Sequence, residues 1–217
     1  MEMMQETIKS RYDSIIFDLD GTLWDITANV AIAWQTAIDS LGYVGMDVTR
    51  ELIRSVIGKS YDVIMDKLFP NLDQTQRKEV EVAGRASETA MLQRKGGDLY
   101  PRLKETLEQL KSKYRLFIVS NSPSGYIELF LELNGLQGYF HGHQCQGTKG
   151  NPKADNIVDI VNDHQLLSPV YVGDTKGDYD AATQAGIPFI FAGYGFGNVS
   201  EGMVATVANL ADLQDML

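Results

Sequence analysis

A single cysteine, Cys145, stands in a chain of 217 residues, so no disulfide can close within it. Nothing beside it in sequence would activate its thiol, which makes it a packing residue. Histidine is nearly as scarce. His141, His143 and His164 are all there are, and their spacing forms no metal-binding pattern. No apolar run reaches the length needed to cross a bilayer. The opening Met1-Glu2-Met3-Met4-Gln5-Glu6 has no basic stretch followed by an apolar one, and the expected location is the cytoplasm. Positive charge is also short: Lys and Arg number 19 against 29 Asp and Glu, for a net charge of −10. That deficit argues against nucleic acid or an anionic membrane as partner, because both reward positive charge. A phosphorylated small molecule stays open, since a local cation and a lysine can reverse the sign at one site.

What is present is ordinary for a folded domain. Apolar residues make up 44% and charged residues 22%. The length suits one domain, or one domain carrying a smaller insert. Ser14-Ile15-Ile16-Phe17 reads as a buried strand running into the turn Asp18-Leu19-Asp20-Gly21-Thr22. From Thr27 to Arg94 the pattern is helical throughout. Trp34 lies there on an apolar stripe with Val30, Ala37 and Ile38, which makes it a core residue. Further helices are predicted over Val48–Ile57, Tyr61–Leu68 and Asp73–Arg94. After Tyr100-Pro101 the chain alternates. Helices are predicted over Arg102–Lys113, Pro123–Asn134, Ala154–His164, Tyr179–Ala185 and Ala211–Leu217. Strands are predicted over Leu116–Val119, His143–Gln146, Val170–Val172, Phe189–Ala192 and Ala205–Val207. Alternation of this kind specifies an α/β fold: a Rossmann-like parallel sheet with helices on both faces. The helical block breaks the alternation, so residues 26–96 read as an inserted all-helical domain. Residues 1–25 and 97–217 then form the α/β core.

Ligands of parallel sheets bind beyond the carboxyl ends of the strands. Asp18 and Asp20 follow the first strand, Ser120 and Asn121 the second, and Asp174 and Asp178 the strand at Val170–Val172. Lys149 and Lys153 lie between the last two groups. A cluster of carboxylates needs a cation, and hard oxygen donors with few histidines favour Mg²⁺. One carboxylate could then attack phosphorus while another moves protons.

Asp18-Leu19-Asp20-Gly21-Thr22, Val119-Ser120-Asn121, Lys153 and Gly173-Asp174-Thr175-Lys176-Gly177-Asp178 resemble, in order, the four motifs of the haloacid dehalogenase superfamily. Leu23-Trp24-Asp25, the helical insert, Leu99-Tyr100-Pro101 and Ala185-Gly186-Ile187-Pro188 resemble its phosphoglycolate-phosphatase-like branch. The resemblance covers essentially the whole chain. It implies a Mg²⁺-dependent phosphatase acting on a small phosphorylated metabolite through an aspartyl-phosphate. Asp18 would be nucleophile and metal ligand. Asp20 would be general acid/base and bind the metal through its backbone carbonyl. Ser120 and the backbone around Asn121 would hold the phosphoryl group, and Lys153 would pair with Asp18 and the phosphate. Asp174 would bind the metal directly, and Asp178 directly or through water. Lys149 is a rival to Lys153, which fits the family pattern better by opening a helix.

In this family the helical insert acts as a lid. Lys59, beside Gly58, and Arg54 are candidate substrate contacts from it, and Trp24 is a candidate to face the site. The alternative activity is that of a sugar-phosphate mutase resembling β-phosphoglucomutase. That branch typically carries a histidine in the cap region near the first motif, and this chain has none before His141. A dehalogenase proper would lack the second aspartate of the first motif, and Asp20 is present. A catalytically silent ligand-binding protein would have no need of the full acidic set. The identity of the substrate and the oligomeric state are not specified by these residues.

Overall fold

The structure is a computed structural model that describes residues 11–57 and 61–217. Lys59 and its neighbour Gly58 lie outside the described residues. By contacts the chain divides into two compact units. One combines the chain up to Trp24 with Leu99–Leu217, and the other runs Asp25–Asp98.

The first unit is built on a sheet of six strands: β1 (Ser14–Phe17), β4 (Arg115–Ser120), β5 (Gly142–Cys145), β6 (Pro169–Gly173), β7 (Phe189–Ala192) and β8 (Ala205–Val207). Their order is β5-β4-β1-β6-β7-β8, and every pairing is parallel. The chain order reverses about β1, which makes the carboxyl ends of β4, β1 and β6 the expected ligand edge. A strand buried on both faces must be apolar on both faces, and Ile15, Ile16 and Phe17 are fully shielded. The core on one side of the sheet joins Ile16, Phe117, Val119 and Tyr171 to Ile157 and Ile160 of the helix Lys153–Asp163, and to Ala181 and Ala182 of the helix Lys176–Gln184. The α/β Rossmann-like class expected from the alternation is the class observed. Two further short strands, β2 (Trp24–Asp25) and β3 (Asp98–Leu99), pair with each other where the chain crosses between the units.

The second unit is helical: α1 (Thr27–Leu41), α2 (Arg50–Arg54), α3 (Tyr61–Leu68) and α4 (Gln74–Lys95). Asp73 and Gln76 form a reciprocal capping box that starts α4. Trp34 is buried, as its stripe predicts. It stacks on Phe69 and donates its indole N–H to Glu88 at 2.8 Å. Burial raises the pKa of Glu88, so that bond matters to a carboxyl with little water around it.

Boundaries differ from expectation for local reasons. The helix predicted from Pro123 starts at Tyr126, because Gly125 takes a left-handed conformation (φ 85°). The segment Val48–Ile57 narrows to Arg50–Arg54, with the Thr49 side chain as N-cap. The helix predicted from Tyr179 starts three residues earlier, at Lys176, where Thr175 and Asp178 form another capping box.

Candidate active site

Asp18 leaves β1 directly, and its N–H bonds the Val172 carbonyl of β6 at 2.8 Å. Phe17 pairs with Val172 on one side and Ile118 on the other. Asp174 and Ser120 therefore emerge from the strands flanking Asp18, at the same edge of the sheet. Lys153 opens its helix, and its Nζ lies 2.6 Å from Asp18 Oδ1 and 2.6 Å from Asp178 Oδ1. All three side chains are buried. Ligand oxygens of Asp18, Asp174 and Asp178 lie within 4.8 Å of one another. This is the one acidic or Cys/His cluster of its kind among the described residues.

The oxygens of this cluster are held differently. Asp178 Oδ2 accepts from the Thr175 N–H (2.9 Å) and hydroxyl (2.6 Å), so the helix cap that orients Asp178 also orients Lys153 through it. Tyr171 donates its hydroxyl to the Val119 carbonyl at 2.8 Å and lies 3.5 Å from Asp178 Oδ1, walling the site from below. Asp174 Oδ2 accepts the Phe196 N–H at 2.7 Å. Asp174 Oδ1 is buried with no hydrogen-bond partner. A bare buried carboxylate oxygen is costly unless something positive meets it. Around Asp174 the backbone must come close. A Cβ on Gly195 would overlap the Asp174 side chain, and so would one on Gly21, whose φ of 89° already favours glycine.

The electrostatics follow from one lysine, paired with two carboxylates, in a cluster of three. Burial, then the Asp178 charge, push the Asp18 carboxyl up to about 7 despite Lys153. Burial and the same neighbour push Asp174 up to about 8. Burial alone would lower Lys153, but the charges of Asp178 and Asp18 outweigh it and hold the ammonium well above its ordinary pKa. The cluster is thus short of positive charge and built entirely of hard oxygen donors. Such a set suits a divalent cation.

Asp20 lies two residues on, and its Oδ1 accepts both the Trp24 indole N–H and the Tyr126 hydroxyl, each at 2.8 Å. Ser120 is buried, and its Oγ accepts the Ser122 N–H at 3.2 Å, while Asn121 is exposed. Lys149 is exposed and paired with Asp159 at 2.7 Å, away from the acidic cluster that Lys153 joins. In the helical unit, Arg54 lies 3.0 Å from Asp25 Oδ2, and Arg50 reaches the same oxygen at 2.7 Å. Thr27 adds its N–H and hydroxyl to the other oxygen, and these bonds together hold the Asp25 carboxyl below its ordinary range against its burial.

Sequence reasoning missed Thr175, Tyr126, Phe196, Gly195 and Arg50. The spacing Thr175-x-x-Asp178 carries a capping signal, and the glycines at 193, 195 and 197 signal close backbone approach. Phe196 acts through its N–H alone and leaves no side-chain signature.

A family model for haloacid dehalogenase-like hydrolases matches residues 15–192. The chain belongs to that family. This hydrolase is 31% identical over 207 residues to a phosphoglycolate phosphatase of Vibrio parahaemolyticus, covering 89% of this chain and 87% of the relative. It is 31% identical over 231 residues to a phosphoglycolate phosphatase of Vibrio vulnificus, covering 99% and 98%. Its fold matches a haloacid dehalogenase-like family hydrolase from Streptococcus pneumoniae with a TM-score of 0.82 at 24% identity, over 94% of this chain and 97% of that one. The family expected from the four motifs is the one found, and so is the branch expected from Leu23-Trp24-Asp25, the helical insert, Leu99-Tyr100-Pro101 and Ala185-Gly186-Ile187-Pro188. The hydrolase is phosphoglycolate-phosphatase-like, and no helix among its described residues is long and apolar enough to cross a membrane.

Proposed function

We propose that this hydrolase cleaves a small phosphomonoester in two steps through an aspartyl-phosphate on Asp18, with Mg²⁺ as its cation. One observation carries the reading: the Lys153 ammonium bridges Asp18 and Asp178 in a buried cluster where an Asp174 oxygen has no partner. The donor set fits the ion. Asp18, Asp174, Asp178 and the Asp20 backbone carbonyl would hold it, and Mg²⁺ would neutralise and orient the phosphoryl oxygens.

The residues of the chain do the rest. Asp18 attacks phosphorus, and the bond to the leaving oxygen breaks. Lys153 offsets part of the burial that raises the Asp18 carboxyl and faces the incoming phosphoryl charge. Ser120 and the backbone around Asn121 hold the transferring group. Asp20 protonates the leaving oxygen, then takes a proton from the water that cleaves the aspartyl-phosphate. In the same reading residues 26–96 form the cap, with Lys59 and Arg54 as its substrate contacts, residues 1–25 and 97–217 form the catalytic core, and the enzyme works in the cytoplasm. The names of the relatives favour phosphatase over the mutase alternative, and they make phosphoglycolate the first substrate to test.

The test is a phosphate-release screen over phosphorylated metabolites, with Mg²⁺ and with chelator. Release should require Mg²⁺ and fall by about 10³-fold or more in Asp18→Asn, as expected when a covalent route is lost. Activity retained in that variant would sink the proposal.

A further inference from the structure

Asp20 receives two hydrogen bonds on the same oxygen, from Trp24 Nε1 and from the Tyr126 hydroxyl, both at 2.8 Å. The donors come from distant parts of the chain. Trp24 lies just beyond the Asp18-to-Thr22 turn, and Tyr126 is the first residue of the helix Tyr126–Asn134. Neither donor is free to wander. Trp24 is fully buried, edge-on to the Tyr126 ring (centroids 5.6 Å apart, 68°) and to the Phe130 ring (5.0 Å, 71°). A packed aromatic group therefore presents two hydrogens to one carboxylate oxygen.

We infer that Trp24 and Tyr126 are positioning residues that fix the proton-carrying oxygen of Asp20. The inference rests on the proposed role of Asp20 as general acid/base. Oδ1 already accepts two hydrogens, so a third, the transferable proton, belongs on Oδ2. In the first step that proton passes from Oδ2 to the leaving oxygen as the bond from phosphorus to that oxygen breaks and the bond from Asp18 to phosphorus forms. In the second, water adds to phosphorus, its proton returns to Oδ2, and the bond from Asp18 to phosphorus breaks. Rotation of the Asp20 carboxyl would exchange its two oxygens, and the paired donors oppose that rotation. Removing them leaves the acid in place but misaims it. General acid–base catalysis is worth about 10²–10⁴-fold, so misaiming should cost part of that factor.

Tyr126→Phe removes one oxygen and keeps the ring. Trp24→Phe removes the indole N–H but leaves space in a packed position, so Tyr126→Phe carries the decision if Trp24→Phe folds poorly. The measurement is kcat and KM, with Mg²⁺, over phosphomonoesters whose leaving groups run from nitrophenol to a simple alcohol. A good leaving group departs without help, whereas an alkoxide needs the proton. The expected result is a loss in kcat/KM, which reports only the step in which the leaving group departs, of under about 3-fold for the nitrophenyl ester rising to about 10-fold or more for the alkyl ester. Adding Tyr126→Phe to Asp20→Asn should cost nothing further, because the partner it positions has gone. A kcat/KM loss equal across all leaving groups, or a full further loss on top of Asp20→Asn, would overturn the inference and mark the contact as packing only. Wild-type protein inactive on every ester would instead overturn the phosphatase reading itself, so the two failures are distinguishable.

Discussion

Asp174 is the side chain on which the proposed cation site can be tested at the scale of one residue. The Phe196 N–H holds one of its oxygens at 2.7 Å while the other lies buried and bare. That arrangement depends on Gly195, because a Cβ there would overlap the Asp174 side chain and the Gly21 carbonyl. Gly195→Ala should therefore raise the Mg²⁺ concentration for half-maximal activity by about 10-fold, the scale seen when groups supporting a metal ligand are disturbed. Gly138→Ala is the control, since a Cβ there meets nothing within 4 Å. Equal Mg²⁺ dependence in the two variants would separate Asp174 from the cation. Lys153 presents the complementary case. Its ammonium serves two buried carboxylates at 2.6 Å each, and the alternative lysine, Lys149, is exposed on Asp159.

The strands were legible because each is a short apolar run that stops at a polar residue. Ile15-Ile16-Phe17 stops at Asp18, Phe117-Ile118-Val119 at Ser120, and Val170-Tyr171-Val172 at Gly173-Asp174. Their parallel pairing then delivers those stops to one edge, which is why most of the acidic site could be anticipated. Contacts made by backbone or by distant aromatics were not legible. Tyr126 is 106 residues from Asp20, and no period or spacing links them. The helix Lys176–Gln184 starts three residues before the predicted Tyr179, because Thr175 and Asp178 cap one another and carry the helix through Gly177. That cap can be tested. Thr175→Ala removes the hydroxyl bonded to Asp178 Oδ2 and should cost about 1 kcal/mol by urea unfolding, with Thr175→Ser recovering most of it. No change in either variant would mean that the cap does not stabilise this helix.

Taken as one molecule, the protein concentrates negative charge where it is least solvated. Burial, then the Asp178 charge, push the carboxyls of Asp18 and Asp174 up to about 7 and about 8 from an ordinary value of 3.8. A raised folded pKa contributes stability that is complete below the unfolded value and is lost as pH rises through the folded one. Metal-free protein should therefore lose this contribution between about pH 4 and pH 8. Mg²⁺ binds the deprotonated ligands, so it should raise Tm more at pH 8.5 than at pH 5.5. An equal Mg²⁺ shift at both values would place the ion elsewhere. The covalent role of Asp18 is tested by mass spectrometry of the enzyme quenched in acid during turnover of an active substrate. The expected result is a phosphoryl group on the peptide that contains Asp18, absent without Mg²⁺ and absent in Asp18→Asn. Steady turnover with that peptide never phosphorylated, or with the phosphoryl group on another residue, would contradict it.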